Sequence, residues 1–232
     1  MIDVRPFDSL GQFDIDWLKA RHHFSFGHYV DPKRMGFGAL RVWNDDTIQP
    51  DTGFDPHPHR DMEIITYVRR GAITHRDRLG NEGRTEAGDV QVMSAGTGIV
   101  HAEYNLEPDI TQIFQIWIEP SATGFKPRWD SRSFPKGDRT GELEVLASGR
   151  PEHKDALRIN QDAAVLGATL ETGQSVTHAI GRGRKVYLVA ATGAISVDGV
   201  PAAARDGVAV ADQETVTIGA TDTAEIVLVD VP

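Results

Sequence analysis

The sequence predicts an all-β protein built as a sandwich or barrel, with little helix. Short runs rich in β-branched and aromatic residues recur along the chain, turn signals separate them, and helical periodicity is scarce. The chain has 232 residues, 40% of them hydrophobic, which suffices for one large or two small domains with buried cores. Only residues 13–19 suggest a turn or so of helix.

Five runs have the composition or alternation of strands. In chain order they are Glu63–Val68, Asp89–Met93, Ile113–Ile118, Lys185–Val189 and Glu225–Val229. Glycine-containing turn signals at 79–83, 95–98 and 197–199 lie between them. Short strands at this spacing favour a sandwich or barrel over a layered α/β fold.

The chain divides into two halves. Residues 125–136 are rich in Pro, Arg, Ser and Trp, so we predict domains at 1–125 and 142–232 joined by a linker at 126–141. Arg70–Thr74 resembles Thr192–Ser196, and Ala87–Val90 has a looser counterpart in Arg205–Val208. This weak repeat predicts a duplicated β domain.

Composition excludes several classes of protein. The net charge of −10 and pI of about 5.3 argue against binding nucleic acid or an anionic membrane by bulk electrostatics. The absence of cysteine excludes disulfides and thiolate metal sites. No leader-like segment or long apolar run is present, so we expect a cytoplasmic protein.

Two short motifs predict a metal site. His57-Pro58-His59 and His101-Ala102-Glu103 each place two side chains at i and i+2, which share one face of a strand. If the two strands face each other, three imidazoles and one carboxylate converge. That donor set suits a divalent transition metal better than calcium or magnesium.

Other interpretations remain open at this point. A lone histidine in a strand is more often hydrogen-bonded than metal-bound, and a single His-x-His is weak support. Glu63 has the same strand parity as His57 and His59, so spacing alone cannot choose between Glu63 and Glu103 as the fourth ligand.

Longer strings resemble a known family. Gly53-x3-His57-x-His59-x3-Glu63-x7-Gly71 is similar to the first cupin motif. Gly88-x5-Ser94-x-Gly96-x4-His101-x3-Asn105 is similar to the second, with two extra residues before its histidine. The strings at 23–27, 40–46, 57–63, 88–103 and 115–120 resemble the pirin family, in particular its quercetinase-like bacterial members. The resemblance runs through residues 20–120 and is faint beyond them.

The resemblance implies a bicupin, two jelly-roll barrels of which the second lacks the metal motif. It implies that His57, His59, His101 and Glu103 hold one divalent metal, usually iron as Fe(II), with Ni, Co, Mn, Cu and Zn as other ions the set accepts. His75, Asp77 and Gln115 are candidates for the barrel lining or for contacts to the ligands. Two departures, Arg78 after Asp77 and Ala102 between the ligands, bear on substrate preference.

The activity implied is a dioxygenase of quercetinase type. Glu103 would take a proton from a flavonol, and dioxygen would open the ring with release of carbon monoxide. The alternative is a metal-dependent regulatory module that acts through protein partners, because the pirin family also includes such proteins. An open metal site wide enough for a flavonoid would favour the enzyme.

Overall fold

The computed structural model describes residues 1–133 and 141–232, and it confirms the all-β prediction. The chain forms two barrels of the same design, in which a seven-stranded sheet faces a four-stranded sheet. Within the described residues, helix is confined to a 3-10 turn at Phe7–Ser9. No helix in these two stretches is long and apolar enough to cross a membrane.

The first barrel carries eleven strands. Its seven-stranded sheet has the order β12-β9-β6-β11-β4-β3-β2, and its four-stranded sheet the order β5-β10-β7-β8. The strands are β2 (Gly11–Asp14), β3 (Leu18–His22), β4 (Leu40–Ile48), β5 (Thr52–His59), β6 (Glu63–Arg70), β7 (Ala72–Asp77), β8 (Glu82–Glu86), β9 (Val90–Ser94), β10 (Ile99–Asn105), β11 (Thr111–Ile118) and β12 (Arg128–Arg132).

The second barrel repeats this arrangement. Its sheets have the orders β1-β20-β17-β22-β15-β13-β14 and β16-β21-β18-β19. The strands are β1 (Ile2–Arg5), β13 (Glu144–Ser148), β14 (Leu157–Arg158), β15 (Ala164–Leu170), β16 (Ser175–Ala179), β17 (Lys185–Thr192), β18 (Ile195–Val197), β19 (Val200–Ala202), β20 (Gly207–Ala211), β21 (Thr215–Ala220) and β22 (Ala224–Val231).

The five predicted strands are confirmed as parts of β6, β9, β11, β17 and β22. The helical turn suggested for residues 13–19 is wrong, because β2 and β3 form a hairpin there. Backbone hydrogen bonds between Ile15 and Leu18 close the hairpin. Leu18 and Ala20 are buried while Lys19 is exposed, so the segment follows the two-residue period of a strand.

Two strands lie outside the predicted domain bounds for their barrels. β1, at the N-terminus, pairs with β20 of the second barrel. β12, which lies within the predicted linker 126–141, pairs with β9 of the first barrel. The linker residues 134–140 lie outside the described part of the chain. The N-terminal strand β1 therefore ties the start of the chain to the second barrel, while β12 extends the first barrel into the predicted linker.

The sequence repeat marks equivalent positions in the two barrels. Gly71 joins β6 to β7 with φ of 73°, and Gly193 joins β17 to β18 with φ of 74°. This left-handed backbone favours glycine. Before β9 and β20, Gly88 and Arg205 likewise adopt positive φ, of 85° and 71°. The predicted duplication is thus visible in the turns.

The interface between the barrels is a shared core. The two seven-stranded sheets pack their outer faces together around Trp43, Phe114 and Tyr187. Asp45, fully buried in this layer, pairs with Arg69 of its own barrel and Arg205 of the other. The interior of the first barrel holds buried polar side chains beside a smaller apolar cluster.

Candidate metal centre

Three histidines converge inside the first barrel. His57 and His59 lie on β5 and His101 lies on β10, and the two strands pair with His101 directly opposite His57. One nitrogen from each ring lies within 4.8 Å of the others. Nε2 of His57 is 3.1 Å from Nε2 of His101. The structure therefore brings together the three predicted nitrogen ligands.

Hydrogen bonds on the far sides of the rings set their tautomers. Nδ1 of His57 lies 2.7 Å from the carbonyl oxygen of Asp55, which can only accept, so this nitrogen carries the proton. Asp77 accepts from Nε2 of His75 at 3.0 Å, which leaves Nδ1 of His75 to accept from Nδ1 of His101 at 3.3 Å. Both assignments leave Nε2 of His57 and His101 unprotonated.

These two lone pairs point at each other, an arrangement that a cation between them would stabilise. Adjacent ligands at about 2.0–2.1 Å from a metal lie roughly 3 Å apart, close to the separation of the two nitrogens. Burial, followed by the charges of neighbouring histidines, lowers the pKa of His59 to about 4 and of His101 to about 3. Neutral imidazoles are the form that binds metals, so the donor set fits a divalent transition ion.

Glu103 follows His101 on β10 and is 1% exposed. Its Oε1 accepts hydrogen bonds from Nε2 of Gln91 at 2.6 Å and from Oγ1 of Thr66 at 3.3 Å. Its Oε2 accepts from Nε2 of Gln115 at 2.7 Å. A carboxylate oxygen of Glu103 lies within 4.8 Å of ring nitrogens of His101 and His75, in a group that overlaps the three-histidine cluster.

Glu63 lies elsewhere. It accepts hydrogen bonds from Oγ of Ser94 at 2.6 Å and from Nδ2 of Asn160, in the second half of the chain, at 2.9 Å. Glu63 has the same strand parity as His57 and His59 but does not share their strand. The chain turns at residues 60–62, where Asp61 has φ of 46°, and Glu63 begins a strand of the opposite sheet.

An outer layer of side chains supports His75. Its ring stacks on that of Trp129 of β12, with centroids 4.8 Å apart and an interplanar angle of 9°. Trp129 in turn lies on Gly83 of β8, where a Cβ would come within 2.1 Å of the indole. Sequence reasoning missed Trp129 because it falls in the predicted linker. Arg78, one of the two departures, is exposed and lines a shallow groove with Arg60.

A cavity of about 590 Å³ is lined by two of the three histidines, His57 and His59. It lies between the edge strand β5 and strands β2, β3, β4 and β11, together with the loop 26–29. Its walls are largely aromatic, as expected of a site for a flat ligand. The aromatic rings come from Phe13, Trp17, Phe26, Tyr29, Phe54 and Trp117. The polar lining includes Gln115, predicted from the sequence, and Asn44 and Asp46, which were not.

Each half of the chain matches the model of a known protein family. Residues 3–118 match the pirin family, and residues 145–231 match the quercetinase C-terminal cupin domain. The chain belongs to the pirin family. The predicted bicupin architecture is thereby confirmed, and the second barrel, faint in sequence, is recognised as a cupin.

Related pirins span the whole chain. A pirin-like protein of Caulobacter vibrioides is 63% identical over 230 residues, covering 99% of each chain. A quercetin 2,3-dioxygenase of Escherichia coli K12 is 39% identical, covering 100% of this chain and 99% of its own. The crystal structure of the bacterial pirin YhhW from Escherichia coli in complex with nickel(II) superposes with a TM-score of 0.93 at 38% identity, covering 100% and 99% of the two chains.

Proposed function

We propose that this pirin is a metal-dependent dioxygenase of quercetinase type, which opens the central ring of a flavonol with dioxygen and releases carbon monoxide. The observation that carries the proposal is that the three-histidine cluster borders, through His57 and His59, an aromatic-lined cavity of about 590 Å³. The relative named quercetin 2,3-dioxygenase and the nickel complex of YhhW support it.

His57, His59, His101 and Glu103 would hold the metal, for which we expect Fe(II). A bound divalent ion would supply a Lewis acid for the flavonol oxygens and a site for dioxygen. The aromatic walls of the cavity bind the flat rings and exclude water. In the overall reaction both atoms of dioxygen enter the product, a depside, and one ring carbon leaves as carbon monoxide.

Glu103 is the base that we propose for the first step, in which the flavonol 3-hydroxyl loses its proton to a carboxylate oxygen. The hydrogen bonds from Gln91 and Gln115 fix the plane of this carboxylate. The same amides hold Glu103 in place while it accepts the proton, so the orientation of the base is built into the barrel wall.

Quercetin turnover with detection of carbon monoxide tests the proposal. Fe(II)-loaded protein should consume quercetin and dioxygen and release carbon monoxide, and His101→Ala should abolish the reaction. A fully metallated protein that binds quercetin but releases no carbon monoxide would contradict the dioxygenase and favour the metal-dependent binding module. A cavity large enough for a ligand beside the histidines favours the enzyme over that module, which needs no such opening.

A further inference from the structure

A buried carboxyl group without a hydrogen-bond partner lines the cavity. Asp46 of β4 is 2% exposed, and its Oδ1 has no partner among the described residues. Its side chain nevertheless forms part of the wall that faces the histidines. Buried polar groups are almost always paired, because an unpaired one loses its hydration without compensation. Asp46 therefore needs an explanation.

The polar side chains beside Asp46 on the strand and across from it are paired. Oδ1 of Asn44 is 2.8 Å from Nδ1 of His22. Gln115 donates to Glu103 and accepts from Nε1 of Trp117 at 3.3 Å. Asp45, on the opposite face of β4, is held by two arginines. Among the described residues that line the cavity, only Asp46 has a buried side-chain polar atom without a hydrogen-bond partner.

The barrel fold does not need this carboxyl. Asp46 pairs with Ile113 across β4 and β11, and in the second barrel the pair at the equivalent position of β15 and β22 is Ala168 with Ile226. Ala168 is buried in an apolar core. The same strand pairing is therefore compatible with a methyl group at this position, so the carboxyl has no evident part in forming the barrel.

The electrostatic setting of Asp46 is also unfavourable. Burial raises the pKa of Asp46 well above its usual range, and the nearby carboxylates of Asp45 and Glu103 add to the effect. Arg69 opposes it only weakly, as the smallest of the four influences. A group in this position gains most from a hydrogen-bonding partner brought in by a ligand.

We propose that Asp46 binds a hydroxyl group of the aromatic ligand that enters this cavity, so that the site selects polyhydroxylated flat aromatics over their less hydroxylated analogues. This rests on the proposed function only in taking a flavonol-like ligand as the occupant. A phenolic hydroxyl is both donor and acceptor, so it can pair with a carboxyl in either protonation state. Asp46 is then a specificity-determining residue for the ligand.

Binding of two matched flavonols tests the proposal without turnover. Quercetin and 3-hydroxyflavone share the 3-hydroxy-4-keto group, but only quercetin carries further hydroxyls. Their affinities for zinc-loaded protein, without dioxygen, can be followed by quenching of Trp17 and Trp117, which line the cavity. We expect Asp46→Ala to lower the ratio of quercetin to 3-hydroxyflavone affinity about tenfold, which corresponds to about 1.4 kcal/mol.

Two further variants sharpen the result. Asp46→Asn retains a donor and an acceptor, so most of the preference for quercetin should remain. Thr47→Val changes a polar neighbour that contacts Gln112 rather than the cavity, and should leave the ratio unchanged. Asp46→Val replaces the alanine variant if that protein is poorly recovered. We expect the melting temperature of Asp46→Ala to be equal to or higher than that of the wild type.

An unchanged affinity ratio in Asp46→Ala would overturn the proposal, as would an equal loss in Asp46→Asn. The test is separate from that of the dioxygenase. If carbon monoxide is released while Asp46→Ala keeps the wild-type ratio, the role of Asp46 fails and the function stands. If the ratio falls but no carbon monoxide is released, the recognition role stands and the dioxygenase fails.

Discussion

The two barrels share a topology but differ in what fills them. The inner five strands of the large sheets and the four strands of the small sheets follow the same order in the two barrels, while the edge strands of the large sheets differ. The sequence repeat aligns Gly71 of the first barrel with Gly193 of the second. From this starting point, the residues paired across neighbouring strands in one barrel can be matched with those paired in the other. The interior pairs, first barrel then second, are Asn44 and Leu166, Asp46 and Ala168, Thr66 and Leu188, His75 and Val197, Gln91 and Val208, His101 and Val216, Glu103 and Ile218, and Gln115 and Leu228.

Every second-barrel residue in these pairs belongs to one apolar core cluster. The second barrel is therefore filled by aliphatic side chains, while the first uses the same positions for polar side chains around a cavity, all of them hydrogen-bonded except Asp46. Apolar burial stabilises a barrel by itself, whereas buried polar groups must be paired with one another or with a ligand. The comparison shows that one scaffold supports either a packed core or a candidate metal centre.

The largest expected effect concerns the metal. His101→Ala should remove nearly all tightly bound metal, because it deletes the central member of the three-histidine cluster. His178→Ala is the control in the second barrel, at the position equivalent to His57, where the histidine pairs with Asp230 instead. It should leave metal content unchanged. Metal analysis after dialysis measures both variants, and equal metal content in His101→Ala and wild type would exclude the assigned site.

The second largest expected effect is a difference in quercetin turnover between variants of Glu103 and Glu63. Glu103→Gln should lower quercetin turnover by roughly 10²- to 10⁴-fold, the range for loss of a general base. Glu63→Gln should change it only a few-fold, because Glu63 contacts Ser94 and Asn160 outside the cluster. Carbon monoxide release at saturating quercetin gives the comparison. The reverse order would favour Glu63 as the ligand.

A third change makes the first barrel resemble the second at one position. His75→Val introduces the residue type of Val197 and removes the hydrogen bond that orients His101. Loss of such a supporting contact typically weakens metal binding about 10- to 100-fold. Competition with a chelator measures the affinity, and Val197→Ala is the control with no expected effect on it. Wild-type affinity in His75→Val would show that His101 needs no orienting partner.

The smallest effect is on acid stability. In the unfolded chain histidine takes up a proton below about pH 6.5, whereas native His59 and His101 resist protonation down to about pH 4 and 3. The unfolded state therefore binds more protons in this window, and the free energy of unfolding falls as pH falls from about 6.5.

Urea unfolding of metal-free protein between pH 7 and 4, followed by tryptophan fluorescence, tests this acid sensitivity. All four tryptophans lie within residues 17–129, so the signal reports the first barrel. His101→Ala should flatten the pH dependence, because it removes one of the histidines whose pKa is lowered in the native state. A slope equal to that of the wild type would contradict the assignment.

Much of the fold and of the metal cluster was predictable from local signals. The β-branched runs identified five strands, and the repeated Gly-Ala-Ile identified the duplication, because turn chemistry and strand period are encoded in neighbouring residues. The i, i+2 spacing placed His57 and His59 on one face, and the structure confirms that they meet His101. The expectation of helix at 13–19 failed because that segment lies in the edge hairpin of a sheet, where its pairing partners are decided by tertiary contacts.

The sequence by itself determined the all-β class, the duplication and the three histidines, since each depends on spacing within a strand or turn. Only the tertiary structure decided that Glu63 lies away from the histidines, that Trp129 of the predicted linker stacks on His75, and that Asp46 lines the cavity. These three depend on which sheet a strand joins and what it faces across the barrel. Such contacts join residues far apart in sequence, and no local pattern encodes them.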